Sequence, residues 1–121
     1  MKIGEICILT NDVIRLARFY RNLLDISGNN TDKVHQTIIS EETMLTIYND
    51  GSKRMGTSQN MCIAFSCEDV DLEYERLKTA GVEIIEGPVT RPFGARNMSL
   101  FDPDRNVVYL RTIVKSGELE K

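Results

Sequence analysis

Tryptophan is absent and histidine occurs once, at His35. The first absence counts against a strong stacking site, and one histidine cannot build a metal cluster unaided. No glycine-rich phosphate loop, Walker-type motif, nucleophile elbow or zinc spacing appears. No run approaches the roughly 20 apolar residues that span a bilayer, so no membrane partner is expected. The apolar start, Met1–Thr10, is too short for a signal peptide, lacks a cleavage site and reads as a strand. The cysteines are Cys7, Cys62 and Cys67, an odd number without metal or redox spacing. Cys62 and Cys67 fall on opposite faces of one strand and should not pair. All three are read as reduced thiols of a cytoplasmic protein. The net charge of −3 is small and the charges are mixed along the chain. That excludes the clustered Lys and Arg of a nucleic-acid-binding surface.

What is present is enough for one ordinary domain: 121 residues, 41% apolar and 27% charged. Lys2–Thr10 reads as an apolar strand without clean alternation, hence a central one. Asn11 or Asp12 can cap the next helix, where Val13, Leu16, Phe19 or Tyr20, and Leu23 recur at helical spacing. Arg15, Arg18 and Arg21 then form its solvated face, and Gly28-Asn29-Asn30 ends the unit. Val34–Ser40 and Thr43–Tyr48 read as a hairpin turning at Glu41-Glu42. The polar stretch 49–59 is expected to be a mobile linker.

Asn60–Cys67 is a second apolar strand, and Asp69 caps a second helix with Val70, Tyr74, Leu77 and Ala80 on its core face. Gly81 stops that helix. Val82–Ile85 reads as a short strand, and Gly87-Pro88 to Gly94 as a loop. Asn97–Phe101 and Val107–Val114 follow as strands joined by Asp102-Pro103-Asp104-Arg105-Asn106. Acidic and proline residues at its first two positions favour a type I turn, closed by a residue of positive φ. Arg105 or Asn106 must supply it, and Asn tolerates that region better. Residues 115–121 form a charged tail expected to fray.

The halves resemble each other. Glu5–Val13 and Cys62–Val70 each run from an apolar strand into an acidic cap, then Val, then an amphipathic helix. A weak repeat of strand, helix and several strands is the simplest summary. It divides the single domain 1–121 into a first module of about 1–50 and a second of about 60–114.

That repeat, the helix NDVIRLARFYRNLL with its Phe19-Tyr20 pair, and the late segment FGARNMSLFDPDRNVVYL resemble the vicinal oxygen chelate superfamily. That group holds glyoxalase I, bleomycin-resistance proteins, fosfomycin-resistance enzymes and extradiol dioxygenases. The resemblance covers nearly the whole chain. It implies an α+β fold of two βαβββ modules, each a curled mixed sheet around a cavity with its helix outside. It implies a homodimer, and in many members a divalent metal held by His, Glu or Gln. The implied metal positions fall on Glu5, near Leu45, on Cys62 and on Tyr109. Leu has no ligand atom, a carboxylate and a thiol match poorly in hardness, and a tyrosine would have to lose a proton of pKa near 10. A glyoxalase-like lyase or isomerase, or a dioxygenase, is therefore the lesser expectation. A metal-free enzyme using Glu5 as base is a third.

The leading expectation is a metal-independent protein of the bleomycin-resistance type, sequestering a small aromatic or cationic ligand without a cofactor. The candidate ligand-binding residues are Glu5, Cys7, Tyr48, Cys62, Phe93, Arg96, Tyr109 and Arg111; no catalytic or metal-binding residue is assigned. Glu5 would meet a cation, Tyr48, Tyr109 and Phe93 a planar ring, and Arg96 and Arg111 an anionic group. Glu5 could instead pair with Lys2 or Arg111, and Cys62 could pack as a small hydrophobe. His35 reads as a surface or edge-strand residue, with a base at a cavity rim as the alternative.

Overall fold

A computed structural model describes residues 1–55, 60–92 and 94–113, without the side chain of Ile113. The expected fraying of 115–121 and the position of Phe93 lie outside those residues. The chain divides into two compact units, Met1–Gly56 and Thr57–Lys121. The architecture is α+β, with one helix and one mixed sheet in each unit. No helix among the described residues is long and apolar enough to cross a membrane.

In the first unit, β1 (Ile6–Leu9) leads to α1 (Val13–Leu23), then to β2 (His35–Ser40) and β3 (Thr43–Tyr48). The sheet order is β1-β3-β2, with β1 parallel to β3 and β2 antiparallel to it. β1 is thus shorter than the apolar run suggests and lies at the edge of its sheet, not at the centre. Gly4 precedes its ladder, and glycine weakens a strand. The segment between α1 and β2 forms no strand, so this unit has three strands where the second has four.

Asp12, not Asn11, caps α1 by accepting a hydrogen bond from the Arg15 amide at 3.2 Å. Val13, Leu16, Ala17, Tyr20 and Leu23 form the buried stripe. Tyr20, not Phe19, is the fully buried aromatic; Phe19 meets it edge-on with ring centroids 5.1 Å apart. Asp25, with φ 55°, ends the helix, rather than the later Gly28. Its amide donates to the Asn22 carbonyl at 3.2 Å, and the Ile26 amide to the Arg21 carbonyl at 2.8 Å. This is the pair of bonds of a Schellman stop.

The start of the supposed linker is pinned. Asn11 donates through Nδ2 to the Ser52 carbonyl at 2.8 Å and accepts from the Arg54 amide at 2.7 Å. Two bonds to one side chain hold Asn49–Arg54 against the start of α1, which the polar composition alone did not reveal.

The second unit runs β4 (Ile63–Ser66), α2 (Val70–Thr79), β5 (Ile84–Thr90), β6 (Ala95–Phe101) and β7 (Val107–Ile113). This is the full βαβββ module, in sheet order β4-β7-β6-β5. Asp69 caps α2, accepting from the amides of Asp71 and Leu72 at 3.0 and 3.3 Å. Val70 and Leu77 are buried, Tyr74 is half-buried, and Ala80 is exposed. Gly81 ends the helix with φ 82°: its amide donates to the Lys78 carbonyl and the Val82 amide to the Leu77 carbonyl, the same two bonds that Asp25 and Ile26 make in α1. The internal repeat therefore extends to the helix stops.

β5 runs through Gly87-Pro88, which reads as loop in the sequence. It is an edge strand, and its pairing with β6 shifts register between Ile84 and Glu86 and again between Glu86 and Val89. An edge with bulges is where a strand tolerates proline. In the β6–β7 turn, Asp102 is buried and its carboxylate accepts from the amides of Asp104 and Asn106 and from Asn106 Nδ2, at 2.8–2.9 Å. Arg105 takes the positive φ, 68°, instead of Asn106. Asn106 is committed to Asp102, while the Arg105 guanidinium lies 3.9 Å from the centroid of the Phe101 ring and bonds Glu83 at 2.6 Å.

The two helix stops yield a paired test. Asp25→Gly should raise stability by about 1 kcal/mol, because glycine bears positive φ without strain. Gly81→Ala should lower it by about 1 kcal/mol, although a Cβ there meets nothing within 4 Å. Urea denaturation at unchanged m-value checks both.

Candidate functional site

Side chains alternate across a strand, and paired residues share a face. In the first unit Ile6, Ile8, Ile38, Leu45 and Ile47 lie on the face that meets α1. Glu5, Cys7, His35, Thr37, Thr46 and Tyr48 fall on the other. Leu45 is thus fully buried on the helix side, and the last-strand residue beside Glu5 is Thr46. The Thr46 hydroxyl donates to Glu5 Oε2 at 2.6 Å. Cys7 is paired with Thr46 across the ladder, and His35 opposes Tyr48, with their rings edge to face at 5.8 Å. Glu5, Cys7, Thr46, Tyr48 and His35 therefore share one helix-free surface. Partial burial, followed by the Glu5 and Asp50 carboxylates, pushes the Cys7 thiol up from its ordinary range. That thiol stays protonated and unreactive near neutral pH.

In the second unit Met98, Leu100, Val108 and Leu110 lie on the face that meets α2. Ala64, Ser66, Asn97, Ser99, Tyr109 and Arg111 lie on the helix-free face. Cys62 is exposed just before β4, in the row continued by Ala64 and Ser66. Arg111 donates through Nε to Ser66 Oγ at 3.2 Å. Just past the end of β5, Arg91 reaches Asn97 Oδ1 at 3.1 Å and forms an ion pair with Glu86.

Arg96 is on the opposite face. Its alternation with Met98 and Leu100 turns it toward α2, where it grips the two Asp71 carboxylate oxygens at 2.8 and 2.9 Å and also donates to Thr90. That guanidinium pulls the Asp71 carboxyl below the usual carboxylate range. Arg96 is therefore separated from the set formed by Tyr109 and Arg111. Cys67 bonds toward Thr112 and Arg111 with its thiol raised chiefly by burial.

The donors do not suit a catalytic metal within either unit. Among the described residues no three His, Cys, Asp or Glu side chains converge. In the first unit Glu5 stands beside a hydroxyl that already donates to it and a thiol held protonated. His35 is two strands away, about 10 Å at ordinary strand spacing. In the second, the face offers hydroxyls, an amide and a guanidinium near Tyr109. Thr37, Thr46, Ser66, Asn97 and Ser99 are the polar members of these faces that the sequence reading missed. The parallel register of β1 with β3, and of β4 with β7, was the signal needed to find them.

The family model for the Glyoxalase/Bleomycin resistance protein/Dioxygenase superfamily matches residues 2–110. No curated protein matches the sequence. Among solved structures, a glyoxalase/bleomycin resistance protein/dioxygenase from Nocardioides is similar with a TM-score of 0.74 and 17% identity, over 97% of this chain and 86% of that one. A lactoylglutathione lyase from Agrobacterium tumefaciens gives 0.72 and 17%, over 92% of each chain. A fosfomycin resistance protein, FosX, from Listeria monocytogenes gives 0.68 and 21%, over 98% of each chain. At such identities the likeness is one of fold.

The protonated Cys7 gives a chemical readout of its face. In a Cys62→Ser, Cys67→Ser background, iodoacetamide should alkylate Cys7 more slowly than free cysteine at neutral pH. Adding Glu5→Gln should speed it, since one raising carboxylate is removed. An alkylation rate insensitive to Glu5→Gln at every pH would separate the two side chains.

Proposed function

The chain belongs to the glyoxalase/bleomycin resistance protein/dioxygenase superfamily, and from that premise we propose that it is a metal-independent small-molecule-binding protein of the bleomycin-resistance type. The observation that carries this reading is the lining of the helix-free faces. They hold Glu5, Cys7, His35, hydroxyls, Asn97, Arg111 and tyrosines, with the Glu86–Arg91 ion pair beside Asn97, and among the described residues no converging ligand set. Such a surface can hold a ligand by hydrogen bonds, charge and ring contact without activating a water or an oxygen.

Glu5 is the recognition group for a cationic centre. Its Oε2 accepts from Thr46, which fixes the carboxylate, and its side chain is exposed. Tyr48, set edge to face against His35, offers a partly buried ring to a planar ligand. Tyr109 and Arg111 are the corresponding contacts of the second unit, Cys7 and Cys62 line the faces beside them, and Phe93, outside the described residues, is a further candidate ring. The protein sequesters its ligand in the cytoplasm, as a homodimer, and so protects against a toxic compound such as an antibiotic. A glyoxalase-like or dioxygenase activity is disfavoured by the donor chemistry described above.

Thermal shift and calorimetry test this directly. Planar cationic antibiotics of the bleomycin class should raise the melting temperature, since a ligand that prefers the folded state stabilises it. Glu5→Gln should weaken binding about tenfold, the ordinary loss for one charge-assisted contact. The fold should persist, because glutamine can still accept from Thr46. Stoichiometric zinc, nickel, manganese or iron in the purified protein, together with turnover that a chelator abolishes, would overturn the proposal.

A further inference from the structure

We propose that the outer face of the first unit carries a phosphate-binding pocket, built by Arg18 and Arg21 of α1 and the segment Gly28–Asn30 that follows it. The pocket is lined by Ile14, Arg18, Arg21, Asn22, Gly28, Asn29 and Asn30. It is on the helix side of its unit, away from the face that carries Glu5 and Tyr48.

Arg21 departs from the solvated role its spacing suggests. It is half-buried, and its Nη1 donates to Gln36 Oε1 at 2.5 Å. Gln36 is only 1% exposed. Its amide nitrogen donates to the carbonyls of Asn30 and Asp32, each at 3.0 Å. One buried amide thus ties the guanidinium, the return segment and β2 together. A guanidinium has five N–H donors, and this bond uses one of them. Gly28 has φ 145°, and a Cβ there would come within 3.8 Å of Arg21 Nε. The backbone therefore runs alongside the guanidinium, in a conformation that side chains disfavour.

The charge is uncompensated. Among the described residues neither Arg18 nor Arg21 has a carboxylate partner. Arg15 of the same row does, with Asp12 at 3.6 Å. The nearby Asp32 carboxylate is turned into its own loop, accepting from the amides of Val34 and His35 at 2.8 and 3.0 Å. Two guanidinium groups without a carboxylate partner, lining one pocket with Asn29 in a protein of net charge −3, form a local positive site. Donors from two helix turns and a return loop suit the tetrahedral oxygens of a phosphate better than a planar carboxylate. A free phosphate ion and a phosphate monoester share this chemistry.

NMR of the ¹⁵N-labelled full chain tests it. Inorganic phosphate is titrated at constant ionic strength, with chloride as the balancing anion. Saturable shifts are expected at the Gly28, Asn29 and Asn30 amides and at Nε of Arg18 and Arg21. Arg18→Gln makes no internal bond to lose, so its amide spectrum should stay native while affinity falls about tenfold. Glycerol phosphate is the second arm. Competition for the same amides assigns the pocket to monoesters, and its exclusion assigns it to the free ion. Shifts that do not saturate at millimolar phosphate, or that persist undiminished in Arg18→Gln, overturn the proposal.

Discussion

Each sheet has two faces and only one helix to cover them. This shortage of cover governs the molecule. The strands put their apolar residues toward the helix because burying such surface contributes about 25 cal/mol per Å². Leu45 and Ile47 on one sheet, and Met98 and Leu100 on the other, are fully buried there. Whatever alternates with them must be compatible with water or with a ligand. The helix-free face is therefore where the polar residues of each sheet collect, Glu5, Thr46, Asn97 and Arg111 among them, beside apolar ones such as Met44 and Phe101, and it is the surface on which chemistry can differ between relatives of one fold.

The two modules solve the same local problems with different residues. Both helices begin on an aspartate, and both end on the same pair of backbone bonds. One stop uses glycine and the other an aspartate at positive φ. The β6–β7 turn shows the complementary strategy, in which Arg105 accepts a strained backbone while its side chain gains a ring and a carboxylate.

Much of the fold was legible because the signals are local. Helical spacing identified Val13, Leu16 and Leu23, and the caps and the Gly81 stop follow from short-range hydrogen bonding. β3 was placed to the residue, Thr43–Tyr48. The site was less legible because it depends on register between strands far apart in sequence. A shift of one residue along β3 exchanges Leu45, which has no ligand atom, for Thr46, which holds Glu5. Arg96 was misplaced for the same reason: nothing near it in sequence says that it alternates with core residues and meets Asp71. Arg21 looked like a member of a solvated row because Gln36, its buried partner, is fifteen residues away.

Pro88 bears on how copies of this chain can meet. It sits in β5, the outermost strand of the second sheet, inside the second of two breaks in register and close after the charged Glu86. A chain arriving at that rim would find a missing amide donor, an uneven ladder and a carboxylate, all of which discourage one sheet from continuing into another. That border is closed to self-templating, so the protein does not offer it as the start of a fibre.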